Sequence, residues 1–301
     1  MPGTFVYPER LAELRPVEHS AVLATSRTVW WDYPPREPQR GSQDTVVAIH
    51  GFRGDHHGLE LFAAFWPEQR IIIPDLPGFG ESAPFVGHQH TIEQYAVWLT
   101  AFLEELRPNS GRLIVLGHSF GSIIVSAALA NGLRVDRAIL VNPISAPALE
   151  GPRGLLTKAA IAYYRIGALL PERLGHLWLG AAPIVRVMSE AMAKNRDPLI
   201  RQFVHEQHRM YFSTFANRTA LLEAFEASVS HNVAEYASQI AVPLLLIAAE
   251  QDDITPIEAQ YRMAEATPQA ELRVIPHVGH LVHYETPAVA VEHMRDFLAL
   301  R

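Results

Sequence analysis

The run Gly117-His118-Ser119-Phe120-Gly121 lies between an apolar stretch, Arg112–Leu116, and an alanine-rich helical pattern, Ser122–Asn131. A serine on a tight strand-to-helix turn projects its hydroxyl out of the fold. The cramped backbone leaves no room for side chains on either flank, which accounts for the two glycines. The following helix points its positive end at an anion forming beside the serine. These residue types suit a nucleophile in acyl transfer, and a serine hydroxyl needs a base. Among fifteen histidines, His280 in Pro276-His277-Val278-Gly279-His280 follows the apolar run Glu271–Ile275. It is preferred to His277 and His283 because Gly279 frees its loop to turn inward. The base needs an orienting carboxylate. Asp252 and Asp253 both follow the strand-like run Pro243–Ala248, at the strand end where sites form in open α/β sheets. An oxyanion needs backbone N–H donors. Phe120, the residue after the serine, offers one, and Phe52 in His50-Gly51-Phe52-Arg53-Gly54 is the expected second.

Two histidine groups have spacings that could ligate a metal: His50, His56 and His57 with Asp55, and His277, His280 and His283. The second set would need a helix that Pro276 and Gly279 oppose, and His50 belongs to the oxyanion loop. The expectation is therefore no metal. With no cysteine in 301 residues, disulfides, thiol catalysis and Cys-ligated zinc are excluded. Apolar residues make up 49% and charged residues 19%, enough for a large core. A net charge of −7 gives no basic footprint for nucleic acid. Positions 113–133 hold no Asp, Glu, Lys or Arg, but Gly117, His118, Ser119 and Gly121 interrupt them. They read as strand then helix rather than a membrane span. The first residues hold charges and no apolar block of the signal-peptide kind. The expectation is a cytoplasmic protein acting on a small molecule, with no nucleic acid or integral membrane partner and undefined oligomeric state.

Those side chains need elements to place them. The short apolar runs Thr45–Ile49, Arg70–Pro74, Arg112–Leu116, Arg137–Val141, Pro243–Ala248 and Glu271–Ile275 are continuous rather than alternating. That pattern fits strands buried on both faces of a parallel sheet. Helical patterns lie between them at Gly58–Trp66, Thr91–Leu106, Ser122–Asn131 and Pro287–Leu300. Thr91 is placed to cap the second, with Gln94 completing a capping box. Thr28–Tyr33 belongs to an expected antiparallel N-terminal pair. The fold class is α/β, a mostly parallel central sheet flanked by helices. About a hundred residues separate Val141 from Pro243, far more than a crossover needs. They read as an inserted helical cap, whose aromatics and methionines (Tyr163, Tyr164, Trp178, Met188, Met192, Met210, Tyr211, Phe212, Phe215) either only hold the insertion together or in part line a pocket. The division is core 1–142, cap 143–240 and core 241–301, with Gly151, Pro152 and Gly154 as hinge positions.

Taken together, HGFRG at 50–54, DLPGFGES at 75–82, GHSFG at 117–121, EQDDITP at 250–256 and GHLVHYETP at 279–287 resemble the α/β-hydrolase fold superfamily, in its cap-bearing serine hydrolase branch. The pieces stand in family order, Ser then Asp then His, across most of the chain. The resemblance implies Ser119 as nucleophile, His280 as base, and Phe52 and Phe120 as oxyanion donors. It favours Asp252 over Asp253, because the family's acid stands four residues before a proline. Ala249 departs from the glycine the family often carries there. Asp75 has a turn-forming role only. A serine at this position excludes the branches that use an aspartate nucleophile. The implied activity is hydrolysis of a carboxylic ester with a small or medium apolar acyl group, with no cofactor. The alternatives are a carbon–carbon bond hydrolase of ring-cleavage products, a cofactor-free perhydrolase or haloperoxidase, and, from another class, a non-catalytic ligand-binding module.

Overall fold

The computed structural model describes residues 5–38, 43–108, 110–147 and 154–299. One eight-stranded sheet runs through it in the order β1-β2-β4-β3-β5-β6-β7-β8. The strands are β1 (Val17–Leu23), β2 (Ser26–Tyr33), β3 (Thr45–Ile49), β4 (Arg70–Pro74), β5 (Leu113–His118), β6 (Arg137–Val141), β7 (Leu244–Ala249) and β8 (Ala270–Ile275). β1 and β2 form the antiparallel N-terminal pair, and β2 also runs antiparallel to β4. Every other pairing is parallel.

The continuous apolar runs follow from burial on both sides. Val47, Ile49, Val115, Leu140 and Leu246 face one core, packed under α3 (Ile92–Glu105) and α4 (Phe120–Ala130). Their neighbours Val46, Ala48, Ile114, Leu116, Ile139 and Leu245 face another, packed under α2 (Glu60–Phe65) and α12 (Pro287–Ala299). Each such side chain contributes about 1.5–3 kcal/mol when removed from water, so neither face tolerates a polar alternation. α1 (Tyr7–Ala12) packs at the edge of the second layer, against α2.

Local expectations held in part. Thr91 caps α3 by accepting from the Gln94 N–H at 3.2 Å. The Gln94 side chain does not complete the box, because it donates instead to the Ala24 carbonyl of the β1–β2 turn. Gly58–Trp66 splits into a short 3-10 turn, His56–Leu59, followed by α2. α4 begins at Phe120, two residues before the expected start, so the helix leaves directly from Ser119. Leu300 lies outside the described residues.

Between β6 and β7 lie α5 (Gly154–Leu169), α6 (Glu172–Leu179), α7 (Ala182–Met192), α8 (Pro198–Tyr211) and α9 (Arg218–Ser230). Asp197 and Asn217 cap α8 and α9 through their side chains. The insertion joins the sheet's loops through backbone bonds at Gly78–Ala216 and Gly80–Thr214. Of the candidate hinge, Gly151 and Pro152 lie outside the described residues, and Gly154 opens α5. α10 (Ile257–Ala266) and the short α11 (Val282–Glu285) follow in the last third. Among the described residues no helix is long and apolar enough to cross a membrane.

Candidate active site

Strand register sets the site. Ile49 pairs with Gly117, His118 with Val141, and Ala249 with Ile275. The loops that leave these strand ends therefore open along one edge of the sheet, where crevices form in such folds. They bring together the 50–54 loop, Ser119, Asn142, Asp252 and His280.

Ser119 has φ 52° and ψ −117°, a conformation that side chains rarely adopt. It is held there by its neighbours: Ser119 N–H donates to Val141 at 3.1 Å, and Ser122 donates its hydroxyl to the Ser119 carbonyl at 2.5 Å. The glycine requirement on each flank is one of space. A Cβ on Gly117 would lie 2.5 Å from the Gly121 carbonyl oxygen, and one on Gly121 would collide with the Ile49 carbonyl.

The Ser119 hydroxyl lies 2.8 Å from His280 Nε2. His280 Nδ1 lies 2.8 Å from Asp252 Oδ2. Because a carboxylate only accepts, Nδ1 carries the hydrogen, and Nε2 is free to accept from the serine. Asp252 Oδ2 also accepts from Asn142 Nδ2 at 2.9 Å, and Oδ1 accepts from the N–H groups of Ile254 (2.7 Å) and Thr255 (3.2 Å). Burial raises the Asp252 carboxyl, but the adjacent His280 and these hydrogen bonds outweigh it and hold the carboxyl below the usual range.

The other candidates are placed elsewhere. Asp253 pairs with Lys194 of the insertion. His277 points outward, its side chain 84% exposed beside Glu250. His283 sits in α11 with its ring 4.2 Å from that of His118. The left-handed residue of the His280 loop is His277, at φ 60°, rather than Gly279. Gly279 is needed for a different reason: a Cβ there would meet the Lys194 side chain and the Met192 carbonyl.

Of the two expected oxyanion donors, Phe120 follows the serine in the chain and Phe52 borders the same cavity as Ser119. Phe120 is the first residue of α4, where the amide has no intrahelical acceptor. The Phe52 amide has no acceptor among the described residues. Its ring packs against Phe120 and Tyr164. His50 braces this loop: its Nδ1–H donates to the Gly51 carbonyl at 2.8 Å, and its Nε2 accepts from the Leu76 N–H at 2.9 Å. Asp75 accepts from the His56 and Glu81 amides, in keeping with a turn-forming role.

Asp55, His56 and His57 bring polar atoms within 4.8 Å of one another. Each already has a protein partner: His56 Nδ1 faces Asp75 and His57 Nδ1 faces Asp55. His50 spends both nitrogens on the loop. His277, His280 and His283 diverge, as described above.

Two residues outside the sequence expectation complete the site. Asn142, at φ 46° and fully buried, follows β6 directly. Its signal was a polar residue at the C-terminal end of a core strand. Arg53 is 1% exposed and has no carboxylate partner among the described residues. Its guanidinium donates to the Phe212 and Leu179 carbonyls, the Tyr164 hydroxyl and Ser213 Oγ. All four acceptors belong to the insertion, so one residue beside Phe52 ties three of its segments to the oxyanion loop.

A cavity of about 170 Å³ opens onto Ser119 and His280. Of the insertion's aromatics and methionines, Met188, Met192, Tyr211 and Phe212 line it. Tyr164 and Phe215 are buried in the core beside it, whereas Trp178 and Met210 are exposed.

The family model described as the alpha/beta hydrolase family matches residues 46–293. The chain is 28% identical over 260 residues to the dihydrolipoyllysine-residue acetyltransferase component of an acetoin cleaving system from Pseudomonas putida, covering 84% of this chain and 63% of that protein. It is 26% identical over 265 residues to the uncharacterized hydrolase YugF of Bacillus subtilis, covering 86% of this chain and 92% of that one. Its fold is similar to that of an esterase from Exiguobacterium antarcticum, with TM-score 0.74 and 16% identity over 94% of this chain and 99% of the other.

Proposed function

The chain belongs to the alpha/beta hydrolase family, and from that premise we propose that it is a serine hydrolase cleaving a carboxylic ester through an acyl-enzyme on Ser119. The observation that carries this reading is the unbroken hydrogen-bond chain from Ser119 through His280 to Asp252, each link 2.8 Å, opening on a cavity.

His280 Nε2 takes the Ser119 proton as the oxygen attacks the ester carbonyl. The carbonyl electron pair moves onto oxygen, and the Phe52 and Phe120 amides hold it; loss of one such donor costs about 10²–10³ in rate. The tetrahedral adduct collapses, and the alcohol leaves with the proton that His280 holds. Water then gives a proton to His280 Nε2 and attacks the acyl-enzyme carbonyl; as the second adduct collapses, the bond to Ser119 breaks, His280 returns that proton to the serine oxygen and the acid is released. Asp252 keeps the imidazole in the required tautomer and steadies its charged form.

Residues 143–240 act in this reading as a cap over the sheet edge carried by 1–142 and 241–301. Arg53 is the fixed point between cap and oxyanion loop. Ester hydrolysis by the purified chain and by a Ser119→Ala variant tests the reading. Loss of turnover by a thousandfold or more is expected. Undiminished hydrolysis by the variant overturns it.

A further inference from the structure

His283 is a buried imidazole without a hydrogen bond. It is 5% exposed and bonded to no described residue; its Nδ1 is closed off completely, which leaves Nε2 as the nitrogen that a molecule in the cavity can reach. Buried polar groups are rarely left without a bond; because Nδ1 is shut away, any bond that an occupant of the cavity restores to this ring is to Nε2. The ring lies against that of His118, 4.2 Å between centroids, and His118 lies 5.5 Å from His280. The orphan is thus two rings from the base, on the wall of the cavity that holds Ser119.

A second imidazole on that wall is half-used. His208 Nδ1 lies 2.8 Å from Ser189 Oγ, and its Nε2 bonds to no described residue. Gln207 stands beside it on the cavity wall. Most of the remaining wall is apolar, from Phe52, Met188, Met192, Phe212, Ile254 and Leu281. Neither lysine nor arginine is among the lining residues. The acid on the wall, Asp55, already accepts from His57 and Thr214.

Charge decides what the orphan can bind. Burial and, next, the neighbouring imidazoles push His283 well below its ordinary value. The same causes, burial first, put His118 and His208 at about 3. All three are neutral at pH 7, so each ring carries one donor and one acceptor nitrogen; His208 Nδ1 is already on Ser189 and His118 Nε2 on the His280 carbonyl. A carboxylate on the substrate would be desolvated with no cation to meet it. A purely apolar chain would leave His283 unpaired.

We propose that the cavity takes an acyl group bearing one uncharged hydrogen-bonding oxygen, a ketone or hydroxyl, and that His283 is the residue that selects it. The inference rests on the ester-hydrolase reading above and deepens it. It departs from the apolar acyl group expected from sequence. Size is consistent: a cavity of about 150 Å³ holds a six-carbon ring, so 170 Å³ admits an acyl group of roughly five or six carbons.

The test compares kcat/KM of the full chain for methyl pentanoate, methyl 4-oxopentanoate and monomethyl succinate. The 4-oxo ester is expected to exceed the pentanoate by roughly tenfold to a hundredfold, the range set by leaving a site's polar group unpaired. His283→Leu is expected to bring that ratio to about one. His283→Gln, which keeps a donor and an acceptor, is expected to retain part of it. The wild-type ratio decides the matter even where a variant does not fold. A pentanoate rate equal to or above the 4-oxo rate overturns the inference, as does monomethyl succinate as the best substrate or a ratio unmoved in His283→Leu. In each of those cases Ser119-dependent hydrolysis still stands. If none of the three esters turns over, the ester-hydrolase reading itself fails and this inference with it.

Discussion

Asn142 Nδ2 donates to Asp252 Oδ2, the same oxygen that faces His280 Nδ1. One carboxylate oxygen thus sits between two groups that fix its direction, and the backbone amides of Ile254 and Thr255 hold the other. Replacing Asn142 by Leu removes a hydrogen bond to a charged group, worth about 1.5–3 kcal/mol. The Asp252 carboxyl should rise toward its ordinary value, and kcat/KM should fall by roughly tenfold to a hundredfold. Steady-state kinetics with an unchanged melting profile would separate this from unfolding.

The two adjacent aspartates should behave differently. Asp252→Asn leaves the geometry but reverses the hydrogen bond to His280, and a change of this kind costs about 10⁴ in kcat. Asp253 pairs with Lys194 at a partly exposed site, where an ion pair is worth about 0–1 kcal/mol. Asp253→Asn should keep kcat within a few-fold of wild type. Parallel kinetics on the two variants checks the assignment of the acid.

Arg53 predicts a structural defect in the insertion. Arg53→Met strips the donor from the part-buried Phe212 carbonyl, while the Leu179 carbonyl keeps the Tyr163 hydroxyl. One unsatisfied carbonyl costs about 1–3 kcal/mol, so a drop of a few degrees in Tm is expected. Limited proteolysis should cut first within residues 154–230, and kcat should fall because the loop carrying Phe52 loses its anchor.

Acid should unfold this chain early. Burial holds His118 and His208 at about 3 and keeps His283 well below its ordinary value. Unfolded, each titrates near 6.5. Between those values the unfolded chain binds more protons, so stability is complete above about pH 6.5 and is lost as pH falls toward 3. Each histidine contributes a slope of up to about 1.4 kcal/mol per pH unit. Asp252, held low when folded, adds a loss of the same sign below about pH 4. Denaturant titrations at pH 8, 6 and 5 should show the decline, and flat stability across that range would contradict it.

The strands and the nucleophile turn were legible because their causes are local. Val46 through Ile49 must be apolar on both faces, and Gly117 and Gly121 must be small because backbone lies against them. Thr91 announced its helix because a cap acts within one turn. What escaped depends on partners distant in sequence. Gln94 leaves its capping box for a carbonyl at Ala24, and Asn142 reaches Asp252 across 110 positions. Gly279 looked like a source of loop freedom but instead makes room for the insertion at Lys194. His283 was weighed as a metal ligand by its spacing. That spacing fails because His280 lies ahead of α11, which starts at Val282. Its unbonded state is a property of packing and has no signal in the sequence.

Every step of the proposed hydrolysis depends on activation of Ser119 by His280. Labelling of the folded chain with a fluorophosphonate, followed by peptide mass mapping, tests it most directly. A stoichiometric adduct on Ser119 is expected, with labelling slowed by roughly a hundredfold or more in His280→Ala, since an unassisted serine hydroxyl is a weak nucleophile. No adduct on folded protein, or equal labelling of the variant, would contradict it.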